Sequence, residues 1–193
     1  MKYVKTLGIM VASVAALLAF AATASATAIT SGGSVYTGTV QASSEGHVAL
    51  HGPLGIKAEC NSSFAGSIAS HGAATTTTQT LSTVSFPGCT NGYEIHVTTL
   101  GHFGWHWWFG GNARLTSTSL VIDLTTPLGF NCVYSTNNTE IGTVTGSSTT
   151  GGKATVDVSG AIPRTGGSAF CGSSGTLTGS YVINTPSNLN VHA

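Results

Sequence analysis

The sequence predicts an all-β fold, a single antiparallel β-sandwich or barrel-like domain behind an N-terminal signal-peptide helix, and three observations carry that prediction. Short runs rich in Val, Ile, Thr, Tyr and Phe alternate with clusters of Gly, Ser, Asn and Pro across residues 27–193, the pattern of strands joined by hairpins. No stretch of that part repeats apolar residues at helical spacing, and Gly or β-branched residues interrupt every candidate helix. The pairs Asn91-Gly92 and Gly151-Gly152 mark turns, since they reach positive φ cheaply and are favoured in tight hairpins, and the second is expected to join the strands that begin at Ile141 and Ala154.

The first element is the leader. Lys2 and Lys5 precede an apolar stretch from Leu7 to Ala22, and Ala24-Ser25-Ala26 has the small-x-small form of a signal-peptidase site. Residues 1–26 therefore read as a signal peptide and 27–193 as one secreted β domain, placed outside the cell, on its surface or in the periplasm. Beyond the leader, four basic residues (Lys57, Arg114, Lys153, Arg164) face six acidic ones. Nucleic acid is excluded as a partner, because its recognition rests on clustered Lys and Arg. With charge so scarce, Thr, Ser, Asn and Gly must wet the surface, which suits contact with a cell envelope, a matrix or an apolar phase.

Candidate strands follow in order at 34–40, 47–50, 55–60, 63–68, 80–86, 93–100, 115–124, 130–134, 141–145, 154–159 and 176–184. The clearest alternation lies in 115–124, where Leu120, Ile122 and Leu124 face one way and Ser117, Ser119 and Asp123 the other. Val156 and Val158 repeat it.

Cys60, Cys89, Cys132 and Cys171 form an even set in a chain bound for an oxidising compartment, so they pair with one another. None stand at the close spacing of a structural zinc site. Three pairings are open. A weak internal repeat favours one of them: Pro53-Leu54-Gly55-Ile56 leads to Cys60 as Pro127-Leu128-Gly129-Phe130 leads to Cys132, and each copy then runs to a second cysteine. Equivalent halves would pair Cys60 with Cys89 and Cys132 with Cys171.

The unusual segment is 101–111, Gly-His-Phe-Gly-Trp-His-Trp-Trp-Phe-Gly-Gly. Phe103, Trp105, Trp107 and Trp108 are the candidate ligand-binding residues, since indole joins a large apolar area to a polar N–H. The structural alternative points Trp105 and Trp107 into the core, with His106 and Trp108 outside. His96, His102 and His106 lack a nearby carboxylate or thiol in sequence to complete a metal site, and His47, His51 and His71 read as polar loop residues, so neither metal nor cofactor is expected. No nucleophile elbow, His-Glu-x-x-His pair or phosphate-cradling loop occurs, and pairing Glu94 or Glu140 with Asp123 is no more than six scattered acids supply by chance. The chain reads as a non-enzyme.

The segments Ala58-Glu59-Cys60-Asn61-Ser62-Ser63-Phe64-Ala65-Gly66-Ser67 and Thr83-Val84-Ser85-Phe86-Pro87-Gly88-Cys89, followed by the aromatic segment entering a long middle strand, resemble small secreted bacterial proteins described as protein activators of alkane oxidation. That resemblance implies a secreted or surface-associated accessory protein linked to growth on hydrophobic substrates or to biofilm life, with no catalytic residues to transfer. Two further readings stand beside it: a soluble binder of an apolar or carbohydrate ligand through the Trp-rich segment, and a fimbrial-type subunit assembled by strand exchange.

Overall fold

The computed structural model describes residues 27–69, 75–147 and 152–192. The leader, His71 and Gly151 of the expected Gly151-Gly152 turn lie outside them. Within the described residues the fold is an eight-stranded antiparallel barrel with a second tier of strands built onto one end and a small sheet onto the other.

The barrel is made by β3 (Gly38–Ser44), β6 (Ser63–Ile68), β7 (Thr76–Ser85), β9 (His102–Trp107), β10 (Asn112–Thr118), β13 (Thr139–Thr145), β14 (Thr155–Gly167) and β15 (Ser174–Thr185), in that order around the ring, and β15 pairs back onto β3. Alternate residues face inward: Val40 and Ala42, Phe64 and Ile68, Phe103 and Trp105, Ala113 and Leu115, Val156 and Val158, Tyr181 and Ile183 are all buried. Between them the unfilled interior space is about 20 Å³, room for about one water molecule and nothing larger. The barrel is a packed core and holds no ligand chamber. Outward positions are mostly Thr, Ser, Asn and Gln, the inverse of a membrane barrel, whose outside is apolar. No helix among the described residues is long and apolar enough to cross a membrane.

β14 and β15 outrun the barrel. The first half of β14 pairs with β13 over 155–158; its end pairs over 164–167 with β12 (Asn131–Ser135). β15 likewise pairs with β3 at its end and with β4 (Val48–His51) near its start. The second tier therefore runs β5 (Lys57–Cys60), β4, β15, β14, β12, β11 (Val121–Thr125), β8 (Glu94–Thr99). The segment entering β8 crosses to its far edge strand, where Asn61 N–H donates to Pro87 O (3.0 Å) and Thr90 N–H to Glu59 O (2.8 Å). The Cys60–Cys89 disulfide locks that crossing, and Cys132–Cys171 is the second bridge, the pairing that the repeat favours. Two disulfides place the fold in an oxidising compartment.

At the opposite end of β14, β16 (Leu189–His192), β1 (Ala28–Ser31) and β2 (Ser34–Val35) form the small sheet. It rests on the barrel rim through Val191 N–H to Gly111 O (3.3 Å) and Ser147 N–H to Leu189 O (2.8 Å).

One expectation is overturned. Residues 115–124 are not a single strand: Ser119 takes φ +62° and the chain passes there from β10 in the barrel to β11 in the second tier. The inward parity shifts from Leu115 and Ser117 to Leu120, Ile122 and Leu124. Ser117, expected to face water, is buried with its hydroxyl 3.0 Å from that of Thr136. The β8-to-β9 passage packs on the same spot, where a Cβ on Gly101 (φ +73°) would stand 2.0 Å from Thr118 O.

Candidate functional site

The second tier ends in loops that converge on an apolar hollow of about 360 Å³, lined mainly by Leu54, Ile56, Tyr93, Leu128, Phe130 and Phe170. Two of the loops are the Pro-Leu-Gly repeats. In the β4–β5 turn, Ile56 N–H donates to Pro53 O (3.2 Å) while Leu54 and Gly55 take φ +57° and +79°. Positive φ at both central positions marks the type I′ hairpin, which favours Asn-Gly; Leu there carries about 1 kcal/mol or more of backbone strain. In the β11–β12 turn, Pro127 follows Thr126, Gly129 N–H donates to Thr126 O (2.8 Å) and Gly129 takes φ +80°, so a stiff three-residue loop projects Leu128.

Neither leucine has a packing role that accounts for its placement. Leu54 is 81 % and Leu128 82 % exposed, flanking Phe130 (37 %) and Phe170 (57 %), whose ring centroids stand 5.1 Å apart. The rims are held from below. Phe170 rides on a single turn of 3-10 helix, Ala169–Cys171, which Ser168 caps by accepting from Phe170 N–H (3.3 Å). The Cys132–Cys171 bridge ties that turn to β12. Arg164 Nη1 donates to Gly167 O (3.1 Å) and Ser168 O (2.9 Å), and Tyr134 OH to Cys171 O (3.2 Å). Burial raises the Tyr134 hydroxyl above its ordinary pKa, the nearby Arg164 charge offsetting part of the shift, so this donor keeps its proton. Neighbouring loops interlock, with the position of a Gly172 Cβ 2.6 Å from Pro53 Cγ and that of a Gly92 Cβ 3.7 Å from Pro127 Cβ.

The structure divides the four aromatic candidates of the 101–111 segment. Phe103 and Trp105 point into the barrel, where Phe103 meets Phe64 edge-on at 5.3 Å and Trp105 Nε1–H donates to the buried Gln79 Oε1 (3.2 Å). They are core. Trp107 ends β9 at the rim, where inward-facing positions no longer meet an opposite wall, and is 38 % exposed; Trp108 and Phe109 follow at 46 % and 55 %. The exposed tip therefore lies at the end of the molecule opposite the apolar hollow.

His106 bridges Thr76 Oγ1 (2.8 Å) and Thr116 Oγ1 (3.2 Å) across Gly104 on the barrel's outer face. His96 lies 3.5 Å from Glu94. Among the described residues no group of three His, Cys, Asp or Glu side chains gathers as a metal site requires. Glu140 is engaged by Arg114 at 3.5 Å on the barrel, whereas Glu94 and Asp123 sit on the second tier.

The repeat at 53–56 and 127–130 is visible in the sequence, yet there it is tied only to the cysteines. What sequence reading missed is that both copies turn at the same end, an outcome of pairing order. Phe170 and Tyr93 carry no local signal at all. Comparison with protein-family models, with curated proteins and with solved structures returns no match.

Proposed function

We propose that this is a non-enzymatic extracellular contact protein whose disulfide-held end seats on an apolar phase. One observation carries the reading: two leucines, each more than four-fifths exposed, stand on stiff turns either side of an aromatic hollow, on a protein whose other outward positions are largely Thr and Ser. Exposed apolar groups clustered in this way mark an interaction surface, and the left-handed backbone of Leu54, costly for a leucine, supports a placement that serves something other than packing. An accessory role beside hydrophobic substrates or surfaces, as the resemblance implies, fits this end. The closed barrel supports it over strand exchange there, because among the described residues the ring itself offers a donor no free edge and only the second tier and the small sheet keep edge strands.

The test is co-flotation with hexadecane droplets in water. The wild-type protein should float with the droplets and Leu54→Asn/Leu128→Asn should stay in the aqueous phase at unchanged fold by circular dichroism. Equal partitioning of the two proteins would sink the reading.

A further inference from the structure

The end of the molecule opposite the apolar hollow carries a different kind of concavity. On the outer side of the small sheet, a depression of about 420 Å³ is lined by Thr30, Ser147, Asn188, Asn190 and His192, floored by Gly32 and Gly33. Thr30 and Asn190 are cross-strand partners in the β1–β16 ladder, so they stand side by side on one face. Among the described residues no Lys, Arg, Asp or Glu lines it.

The polar groups here are half-buried or exposed and keep hydrogen-bonding capacity unspent. Asn190 Oδ1 accepts from Val191 N–H (2.9 Å) and Asn188 Oδ1 from the Ser31 hydroxyl (2.6 Å). Each amide is thereby held by its oxygen. Neither Nδ2 group, nor the Thr30 and Ser147 hydroxyls, nor the His192 ring has a protein partner among the described residues. The comparable trough around His106 differs in this respect: Thr76, His106 and Thr116 satisfy one another, and Thr118 donates to Asn138 Oδ1 (2.7 Å).

The loop that carries the aromatic tip borders the depression through Gly111. Val191 N–H donates to Gly111 O, and a Cβ on Gly111 would stand 2.3 Å from Asn190 Oδ1. The tip is itself fixed: Phe109-Gly110-Gly111-Asn112 closes with Asn112 N–H to Phe109 O (3.0 Å), Trp107 N–H donates to Thr27 Oγ1 (3.1 Å), and the Arg114 guanidinium lies 4.6 Å over the Trp108 ring. An indole on the loop that borders unspent amide and hydroxyl donors, with no charged side chain in the lining of the depression itself and the cation at the tip, Arg114, engaged on Trp108, matches one ligand chemistry. Pyranose rings offer an apolar face for an aromatic and equatorial hydroxyls that donate and accept.

We propose that this depression and the Trp107–Trp108 tip form a binding site for an uncharged oligosaccharide. The site is separate from the apolar end and does not rest on the contact function proposed for it.

Affinity electrophoresis through gels containing neutral polysaccharides (a β-1,3-glucan, a β-1,4-glucan, an α-glucan and a mannan), with anionic alginate as the control, tests the site. At least one neutral gel should retard the wild-type protein, and the matching hexasaccharide should bind by calorimetry. Trp108→Ala and Asn190→Asp should each weaken binding about tenfold or more. Asp keeps the acceptor for Val191 N–H but replaces the Nδ2 donor with a charged acceptor oxygen, so unchanged thermal unfolding of Asn190→Asp separates loss of the site from loss of the fold. Leu54→Asn/Leu128→Asn should bind sugar normally. Migration unaffected by every neutral gel, retardation by alginate alone, or binding that both site variants leave intact would overturn the proposal.

Discussion

Tyr181 shows how one hydroxyl couples three strands. Its ring packs edge-on against Phe64 at 5.3 Å, and its buried OH donates to Ser62 Oγ (2.9 Å), which in turn donates to Ser85 O (3.0 Å). Burial pushes its pKa up to about 12 from 10.0, against a smaller lowering by the Ser62 hydrogen bond. In the unfolded chain the phenol ionises near 10, so between pH 10 and 12 the unfolded state sheds a proton that the folded state keeps. The stabilisation is complete below pH 10 and is lost as pH climbs through 12, by roughly 3 kcal/mol. Tyr181→Phe should cost about 1 kcal/mol at pH 7 and flatten that alkaline loss. Urea unfolding at pH 7, 10 and 11.5 measures both; parallel pH profiles for the two proteins would show that Tyr181 does not carry the effect.

At the scale of elements, the β4–β5 hairpin sets stability against contact. Leu54 occupies a left-handed position that Asn adopts more easily and projects almost its whole side chain into water. Leu54→Asn should therefore raise stability by about 0.5–1 kcal/mol in chemical denaturation while reducing flotation with oil. A destabilised variant would mean that Leu54 is packed in solution.

The same scale shows what the sequence made legible. The turn written in Asn91-Gly92 and the alternation written in Val156 and Val158 are found, with Asn91 and Gly92 at φ +57° and +73°, because these signals are local; the expected hairpin is not, since the turn lies between β7 and β8, which do not pair. Strand lengths are not. The sequence reading stops β14 at Ser159, since Gly160, Pro163 and Gly166-Gly167 look like breakers, yet the strand continues to Gly167. Each breaker answers a tertiary demand: a Cβ on Gly160 would stand 2.7 Å from Ile141 Cα, and Pro163 falls where β14 has passed β13 and not yet met β12. Arg164 N–H donates to Ser173 O on the β15 side, so Pro163 turns to the unpaired edge, where no ladder bond is missed. The Trp-rich segment divides for a related reason: alternation assigns Trp105 and Trp107 to one face, and only the position of the barrel rim tells which of them is covered.

At the scale of the whole molecule, the barrel and the second tier are closed by different means. The barrel closes through backbone pairing of β15 with β3 and β14, whereas the second tier joins its edge strands through one crossing segment locked by Cys60–Cys89. The two bridges span 29 and 39 residues, separations at which each stabilises a fold by about 3–4 kcal/mol. Their loss should fall unevenly. Cys60→Ala/Cys89→Ala should speed amide exchange in β4, β5 and β8 and loosen the loops bearing Leu54 and Tyr93, while β9, β10 and β13, deep in the hydrogen-bonded ring, keep their protection. Flotation with hexadecane should fall with that loosening. Retardation by neutral polysaccharide should persist, since Asn190 and Trp108 sit at the other end of β14, whose 13 residues span about 40 Å. Hydrogen exchange read by mass spectrometry on this variant decides the matter: uniform loss of protection across both tiers would show one cooperative unit, and the two ends could not then act independently.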